Sequence, residues 1–147
     1  MIIIGEDVSR YPQLRRAVIE CRVENVVRFL GHVPFDTLRV FYESAAAFVF
    51  PSLYEGFGLP PIEAMASGTP VITSENSSLP EVVGDAAMLI NPENVFDIAR
   101  GIKEVLLDPA LRKRLAEAGR VHAATFSWQR TASEVLSVYK EVAAGRR

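Results

Sequence analysis

The sequence predicts an α/β fold with a parallel sheet, and two observations lead to this class. Short apolar runs alternate with amphipathic stretches through the first 92 residues, and these runs are apolar throughout. That pattern is typical of strands covered on both faces, as in parallel sheets. After residue 92 the chain is predicted to be helical. We therefore expect one domain over residues 1–147, with an α/β part at 1–92 and a helical part at 93–147.

Local signals bound the predicted elements. Glycines end the first two strands, and Pro12 suits the first turn of the first helix. Asp108 and Pro109 separate two late helices, and Ser127 is a suitable N-cap for the last one. The predicted strands are 2–4, 26–30, 47–50, 71–73 and 88–90, and the predicted helices are 12–21, 36–44, 61–66, 79–83, 95–107, 111–126 and 127–144.

Composition restricts the possible functions. The net charge of −2 does not favour nucleic-acid binding, and we expect the basic end at Arg146 and Arg147 to be a short solvated tail. No apolar run approaches the roughly 20 residues that cross a bilayer, so we expect no transmembrane segment. The single cysteine, Cys21, has no internal disulfide partner and is expected to be a buried or half-buried thiol. Trp128, with Phe126 and Tyr139, is expected to provide packing for the last helix.

The segment from Pro51 to Ala66 carries the chemistry, because it leads from the end of a strand into a helix. Ligands bind outside the carboxyl ends of strands in open α/β sheets. Gly56 and Gly58 allow backbone amides to approach a ligand closely. The free amides of a helix beginning near Leu59 favour an anion such as phosphate.

Two glutamates, Glu55 and Glu63, flank this predicted anion site. Eight residues span about 12 Å in a helix, so the two carboxylates are too far apart to share one proton or one metal. They could instead hold the two ends of a long polyhydroxyl ligand with phosphates between them, the layout of a nucleotide sugar. Taken singly, Glu55 is more simply explained as a partner of the helix dipole and Glu63 as a solvated surface residue. Glu63, however, has apolar neighbours in sequence, and if buried it needs a hydrogen-bonding partner.

An ordered series of short motifs accompanies this pair and resembles glycosyltransferase family 4, whose members have the GT-B fold and retain anomeric configuration. Glu55 and Glu63 match the family's E-x7-E signature. The other motifs are Phe29-Leu30-Gly31, Phe50-Pro51-Ser52, Glu55-Gly56-Phe57-Gly58-Leu59-Pro60, Glu63-Ala64-Met65-Ala66, Gly68-Thr69-Pro70-Val71 and Leu79-Pro80-Glu81-Val82.

The resemblance implies a role for each motif. Glu55, the candidate catalytic residue, would contact the donor sugar near its 3- and 4-hydroxyls, and it is assigned neither as a nucleophile nor as a general base. Glu63 would hold the ribose diol. The backbone at Gly56, Phe57, Gly58 and Leu59 would contact the distal phosphate and the sugar. The base would be bordered by Leu30, Gly31 and Val33. Ser52 would contact the ligand or simply form a turn.

The resemblance covers most of one half of such an enzyme, the C-terminal donor-binding domain, with a Rossmann-like sheet. The family's first strand, its phosphate-gripping Gly-Arg and Lys, and the N-terminal domain that holds the acceptor have no counterpart in this sequence. In the strand order 3-2-1-4-5-6 that first strand is central. Its absence leaves open sheet edges, so we expect pairing with another copy, pairing with an N-terminal fragment, or direct re-pairing of the strands.

These observations lead to one main hypothesis and its alternatives. We expect the donor-binding half of a retaining glycosyltransferase that transfers a hexose-type sugar from a nucleoside-diphosphate donor, inactive as this chain alone. No metal is expected, because the sequence lacks Asp-x-Asp and metal-spaced His or Cys sets. We expect a cytoplasmic location, peripheral to a membrane in a full-length enzyme. The alternatives are a non-catalytic nucleotide-sugar-binding module and a self-association module. The sugar, base and acceptor stay open.

Overall fold

The computed structural model describes residues 1–6 and 8–145, which form two compact units, Met1–Phe41 and Tyr42–Arg147. The tail predicted at Arg146 and Arg147 lies outside the described residues. Both units combine parallel strands with helices, and the α/β fold class predicted from the sequence is confirmed.

The first unit contains a two-stranded parallel sheet. Strand β1 (Ile2–Ile4) pairs with β2 (Arg28–Gly31), and the register shifts between Ile3 and Ile4. A 3-10 turn at Val8–Arg10 and helix α1 (Pro12–Glu20) connect the strands. Helix α2 (Phe35–Ser44) follows β2 and continues into the second unit.

The second unit contains a three-stranded parallel sheet in the order β3-β4-β5. The strands are β3 (Phe48–Phe50), β4 (Val71–Ser74) and β5 (Ala87–Ile90). Helix α3 (Leu59–Ala66) connects β3 to β4, and α4 (Leu79–Val83) with a 3-10 turn at Gly84–Ala86 connects β4 to β5. Parallel strands place their carboxyl ends at one edge, so the loops entering α3 and α4 follow neighbouring strand ends.

Three helices complete the second unit, and a side-chain cap opens each of them. They are α5 (Val95–Leu107), α6 (Pro109–Ala123) and α7 (Trp128–Ala143). The side chain of Asn94 accepts hydrogen bonds from the second and third amides of α5, and Asp108 accepts from the amides at the same positions of α6. The hydroxyl of Ser127 accepts from Arg130 N. The caps provide acceptors for amides that have no partner inside the helix.

The core of the second unit lies between its sheet and the helices α5 and α6. All four residues of β4 are buried. The side chains of Ile72, Ile90, Val105 and Leu115 form the central cluster. Each fully buried aliphatic side chain contributes roughly 1.5–3 kcal/mol, so this cluster fixes the sheet that carries the candidate site.

The expected single sheet is replaced by two sheets. No described strand pairs with the second edge of β1 or of β3. Direct re-pairing of β1 with β3, one of the three expectations, does not occur among the described strands. The prediction that both faces of the strands are covered was also wrong for the first sheet, because Ile2 and Leu30 are exposed. An apolar run indicates a strand, but its burial depends on what covers it.

Three side chains expected to be packed or at least half-buried are exposed. Cys21 follows the last residue of α1, a helix with no buried residue, and its thiol is exposed. Trp128 and Tyr139 lie on α7, which likewise has no buried residue. Their apolar character alone therefore did not predict packing.

Candidate functional site

The candidate site is built on the loop that joins β3 to α3. Gly58 is the N-cap of α3 and has a left-handed backbone with φ of 110°. Pro60 lies in the first turn of the helix, where its missing amide hydrogen removes no helical hydrogen bond. Helix α3 therefore begins at Leu59, directly after the second glycine. This agrees with the helix start expected near Leu59, although the predicted helical range began at residue 61.

Glycine is required at position 58 for two reasons. Its positive φ is a conformation that other residues adopt at a cost. A Cβ atom there would lie only 2.7 Å from Cδ2 of Leu79, the first residue of α4. The loop before α3 is thus packed directly against the start of α4. Gly56 differs, since a Cβ at that position would meet nothing within 4 Å.

The amides of this loop are available to a ligand. Within the described part of the chain, the N–H groups of Gly56, Phe57 and Gly58 donate to no protein acceptor. They lie immediately before the amino end of α3, whose dipole favours negative charge. Backbone amides in this position can hold the oxygens of a phosphate.

Glu55 is half-buried, and its carboxylate has no hydrogen-bond or ion-pair partner among residues 1–6 and 8–145. Its backbone, in contrast, is held by two serines from the loop before α4. Ser77 Oγ accepts from Glu55 N at 3.3 Å and donates to Glu55 O at 2.7 Å. Ser78 Oγ lies 2.9 Å from Glu55 O and 2.9 Å from Phe57 O. A fixed backbone with an unengaged carboxylate suits a residue that binds hydroxyl groups.

Glu63 lies in the second turn of α3, is half-buried among apolar residues, and has a hydrogen-bond partner. The hydroxyl of Tyr42 donates to Glu63 Oε2 at 3.3 Å. Tyr42 is 6% exposed, and its backbone carbonyl accepts a hydrogen bond from the Thr69 hydroxyl. Burial, followed by the charge of Glu63 and this hydrogen bond, raises the pKa of Tyr42 above its ordinary value.

Aromatic contacts connect the loop to the end of α6. The ring of Phe57 meets that of Phe126 edge to face, with ring centroids 5.9 Å apart. Phe126 in turn contacts His122, whose Nε2 lies 2.8 Å from the carbonyl oxygen of Val82. His122 therefore has a structural role, because it links α6 to α4.

The structure gives less information on the other predicted site residues, Ser52, Leu30, Gly31 and Val33. Ser52 donates to the carbonyl oxygen of Tyr54 at 3.2 Å, a contact that fits the turn interpretation. Leu30, Gly31 and Val33 belong to the first unit and lie at or just after the end of β2. Their role at a nucleotide base stays a prediction.

Sequence reasoning missed Tyr42, Ser77 and Ser78, although all three contact the predicted pair of glutamates or the loop between them. They lie 21 to 23 residues from their partners in sequence. One signal was present for the serines, since they directly precede the Leu79-Pro80-Glu81-Val82 motif.

Two features of the described residues bear on other classes of site. No group of three His, Cys, Asp or Glu side chains is placed to hold a metal ion in the part of the chain that the structure describes. Over the same residues, every helix is too short or too polar to span a bilayer.

The similar proteins below match at least 80% of this chain, whereas the chain spans less than half of each of them. O-antigen chain mannosyltransferase B of Escherichia coli is 43% identical over 117 residues, which cover 80% of this chain and 31% of that protein. Sucrose-phosphate synthase of Thermosynechococcus elongatus superposes with a TM-score of 0.87 at 31% identity, over 98% of this chain and 38% of that one.

A third similarity concerns the fold alone. The HepE protein of Anabaena, solved in complex with UDP and glucose, has a TM-score of 0.84 at 23% identity and matches 93% of this chain and 40% of its own.

The model of the family described as glycosyl transferases group 1 matches residues 1–122. Since that match covers well over half of the sequence, this chain belongs to the glycosyl transferases group 1 family.

Proposed function

We propose that this chain is the donor-binding part of a retaining glycosyltransferase of family 4, and that it binds a nucleoside-diphosphate hexose. One observation carries the proposal. A single segment from Glu55 to Glu63 presents an unengaged carboxylate, three amides without protein acceptors and a second carboxylate on the helix that follows. These groups match the sugar, the diphosphate and the ribose of such a donor in order along the chain.

The proposal gives each group a chemical role. Glu55 accepts hydrogen bonds from sugar hydroxyls and is the candidate catalytic residue, while the amides of Gly56, Phe57, Gly58 and the start of α3 at Leu59 bind the distal phosphate. Glu63 accepts from the ribose diol. The Tyr42 hydroxyl contacts only Oε2 of Glu63, and a carboxylate has about four acceptor positions, so capacity remains for two ribose hydroxyls.

The proposal extends to groups outside this segment. Leu30, Gly31 and Val33 border the base, and Ser52 contacts the donor in addition to closing its turn. The acceptor binds to a part of the longer relatives that this chain does not cover, so transfer requires that part. No metal is involved, and the site of action is cytoplasmic and peripheral to a membrane.

The relatives support a nucleotide-sugar donor. One is named as a mannosyltransferase and another as a sucrose-phosphate synthase, and both names describe sugar transfer. The HepE protein was solved with UDP and glucose, although its likeness to this chain extends to the fold only. Two different hexoses occur among these names, so a hexose is the class that the proposal adopts.

Calorimetry with bare nucleoside diphosphates and with nucleotide sugars tests the proposal. We expect Glu63→Gln to weaken binding of UDP or GDP and of the matching nucleotide sugar alike, by about tenfold, because the charge-assisted bonds to ribose are common to both. Glu55→Gln should weaken binding of the nucleotide sugar alone, because only that ligand carries the hexose.

A matched control is Glu117→Gln, an exposed helical residue that forms an ion pair with Lys113. It should bind every ligand as the unaltered chain does. Equal effects of Glu55→Gln on bare diphosphate and nucleotide sugar would contradict the assigned order of groups. Failure of the unaltered chain to bind any nucleoside diphosphate or nucleotide sugar would overturn the proposal.

Transfer itself is tested by supplying the N-terminal part of a relative and assaying sugar transfer to its acceptor, with retention followed by the anomeric configuration of the product. Transfer that requires both parts and is lost in Glu55→Ala supports an enzyme. Donor binding without transfer supports the non-catalytic binding module instead.

One observation favours the alternative of self-association. Among the described strands, β3 pairs only with β4, and its other edge has no strand partner. Open edges are templates for pairing with a second chain. Light scattering that gives a stable oligomer, together with no nucleotide binding, would support this alternative over donor binding.

A further inference from the structure

We propose that Ser77 and Ser78 are positioning residues for the donor. They hold the backbone from Glu55 to Phe57 so that its amides point toward the phosphate position. This inference rests on the proposed function, but it makes a separate claim about two residues that have no place in the E-x7-E motif.

The two serines and the loop form a small cluster of hydrogen bonds, which we call the serine clasp. Ser77 Oγ binds both the amide and the carbonyl of Glu55. Ser78 Oγ lies within 2.9 Å of two carbonyl oxygens, those of Glu55 and Phe57. One hydroxyl hydrogen is therefore shared between two acceptors, and both carbonyls are directed at the serine loop.

The direction of the carbonyls determines the direction of the amides that follow them. In a trans peptide the C=O of one residue and the N–H of the next lie on opposite sides of the C–N bond. All described peptides are trans. Because the carbonyls of Glu55 and Phe57 point at the clasp, the N–H groups of Gly56 and Gly58 point away from it. These are two of the three loop amides that have no protein acceptor.

The serines are used in an unusual way for their positions. Ser78 is the residue before α4, where a serine ordinarily accepts a hydrogen bond from the helix, yet its side chain makes no capping bond. Ser77 is one of two described non-glycine residues with a positive φ, at 59°. Such backbones persist where the surrounding contacts fix them. Both features indicate that the serine loop is shaped to reach the Glu55–Phe57 backbone.

A further contact reinforces the same geometry. A Cβ atom at Gly58 would lie closest to Cδ2 of Leu79, the residue that follows Ser78 in sequence. The two loops therefore meet both through hydrogen bonds and through van der Waals contact. Loss of the two serine hydroxyls should remove the hydrogen bonds between the loops and leave the contact between Gly58 and Leu79 in place.

The test compares Ser78→Ala and Ser77→Gly with the unaltered chain. Ser77→Gly removes the hydroxyl while permitting the positive φ, so it should fold even if Ser78→Ala does not. Ser78→Thr keeps a hydroxyl and should rescue the loss. Ser137→Ala, on the exposed face of α7, is the matched control.

Two measurements are made on each variant. The first is calorimetric affinity for UDP and for GDP, which we expect to fall about fivefold in Ser78→Ala and in Ser77→Gly, the effect of one hydrogen bond. The second is the ¹⁵N relaxation order parameter of Gly56, Phe57 and Gly58 without ligand. The order parameter should fall from about 0.85 in the unaltered chain to about 0.6 or below in Ser78→Ala and Ser77→Gly.

The outcomes separate this inference from the proposed function. If the unaltered chain binds neither UDP nor GDP, the proposed function fails, and the order parameters alone decide whether the serines hold the loop. If it binds either and Ser78→Ala and Ser77→Gly bind equally well, the serines are not positioning residues, whatever the order parameters show. Unchanged order parameters in both variants would also overturn the clasp.

Discussion

The hydroxyl of Tyr42, near the end of α2, donates to Oε2 of Glu63 in α3 across 3.3 Å. Tyr42 is itself fixed on two other sides. Its ring meets that of Phe48 edge to face at 5.2 Å, and its carbonyl accepts from Thr69. The orientation of the Glu63 carboxylate is thus set by a buried residue that belongs to neither the loop nor the helix of the E-x7-E segment.

Replacing Tyr42 by phenylalanine should weaken both stability and binding. Tyr42→Phe keeps the ring contact with Phe48 but removes the donor to Glu63. We expect the free energy of unfolding to fall by about 1 kcal/mol, the usual net value of a hydrogen bond, and the affinity for UDP or GDP to fall about fivefold. Urea unfolding and calorimetry measure the two effects. Tyr139→Phe, at an exposed position of α7, should change neither. An unchanged affinity in Tyr42→Phe would show that Glu63 is oriented without Tyr42.

The same tyrosine predicts a dependence of stability on alkaline pH. The pKa of Tyr42 is raised in the folded chain, mainly by burial. Its contribution to stability is therefore complete below the unfolded pKa of about 10 and is lost as the pH rises above it. Between the unfolded and the folded pKa, the advantage of the unaltered chain over Tyr42→Phe should shrink by up to about 1.4 kcal/mol per pH unit. Urea unfolding at several pH values from 8 upward measures it. A constant difference above about pH 10 would contradict the raised pKa.

Much of the fold could be predicted because its signals are local. Helix α5 has the predicted bounds, Val95–Leu107, since apolar spacing runs through it and Asp108 with Pro109 ends it. The division into two sheets could not be read in this way. It depends on which strands meet, and apolar runs such as Ile2–Ile4 look the same whether or not another layer covers them.

The candidate site likewise has a part that could be predicted from local sequence and a part that could not. Glu55, Gly56, Gly58 and Glu63 stand in one continuous segment, so their spacing was visible in the sequence. Tyr42 and the serine clasp come from separate segments, brought to this one only by folding. A lone tyrosine or a pair of serines has many possible roles, and neither type of residue has a spacing that specifies contact with a distant carboxylate or carbonyl.

The close approach of Gly58 to Leu79 predicts contrasting effects at the two loop glycines. Gly58→Ala places a Cβ at 2.7 Å from a buried leucine side chain and in a left-handed backbone. We expect the free energy of unfolding to fall by about 1–3 kcal/mol, from crowding and backbone strain together. Gly56→Ala adds a Cβ in open space and should change stability by less than about 0.5 kcal/mol. Denaturant unfolding compares them, and equal effects would mean that the loop moves away from α4 at little cost.

Gly101, within α5, sets two opposing effects against each other. Alanine is favoured over glycine inside a helix by about 1 kcal/mol, so Gly101→Ala would stabilise an isolated helix. In the folded chain, however, its Cβ would lie 2.5 Å from Cγ2 of Ile90 and 3.4 Å from Cγ2 of Ile72.

Both isoleucines are fully buried in the central cluster, so neither has space to move aside. Overpacking of this kind costs about 1–3 kcal/mol, which meets or exceeds the propensity gain, and we expect Gly101→Ala to lower the free energy of unfolding. Ala99→Gly, at an exposed position of the same helix, measures the propensity difference alone and should cost about 1 kcal/mol. Thermal and urea unfolding of the two variants give both values. A stabilised Gly101→Ala would show that α5 can move away from β4 and β5, and that the core beneath the candidate site is looser than these distances require.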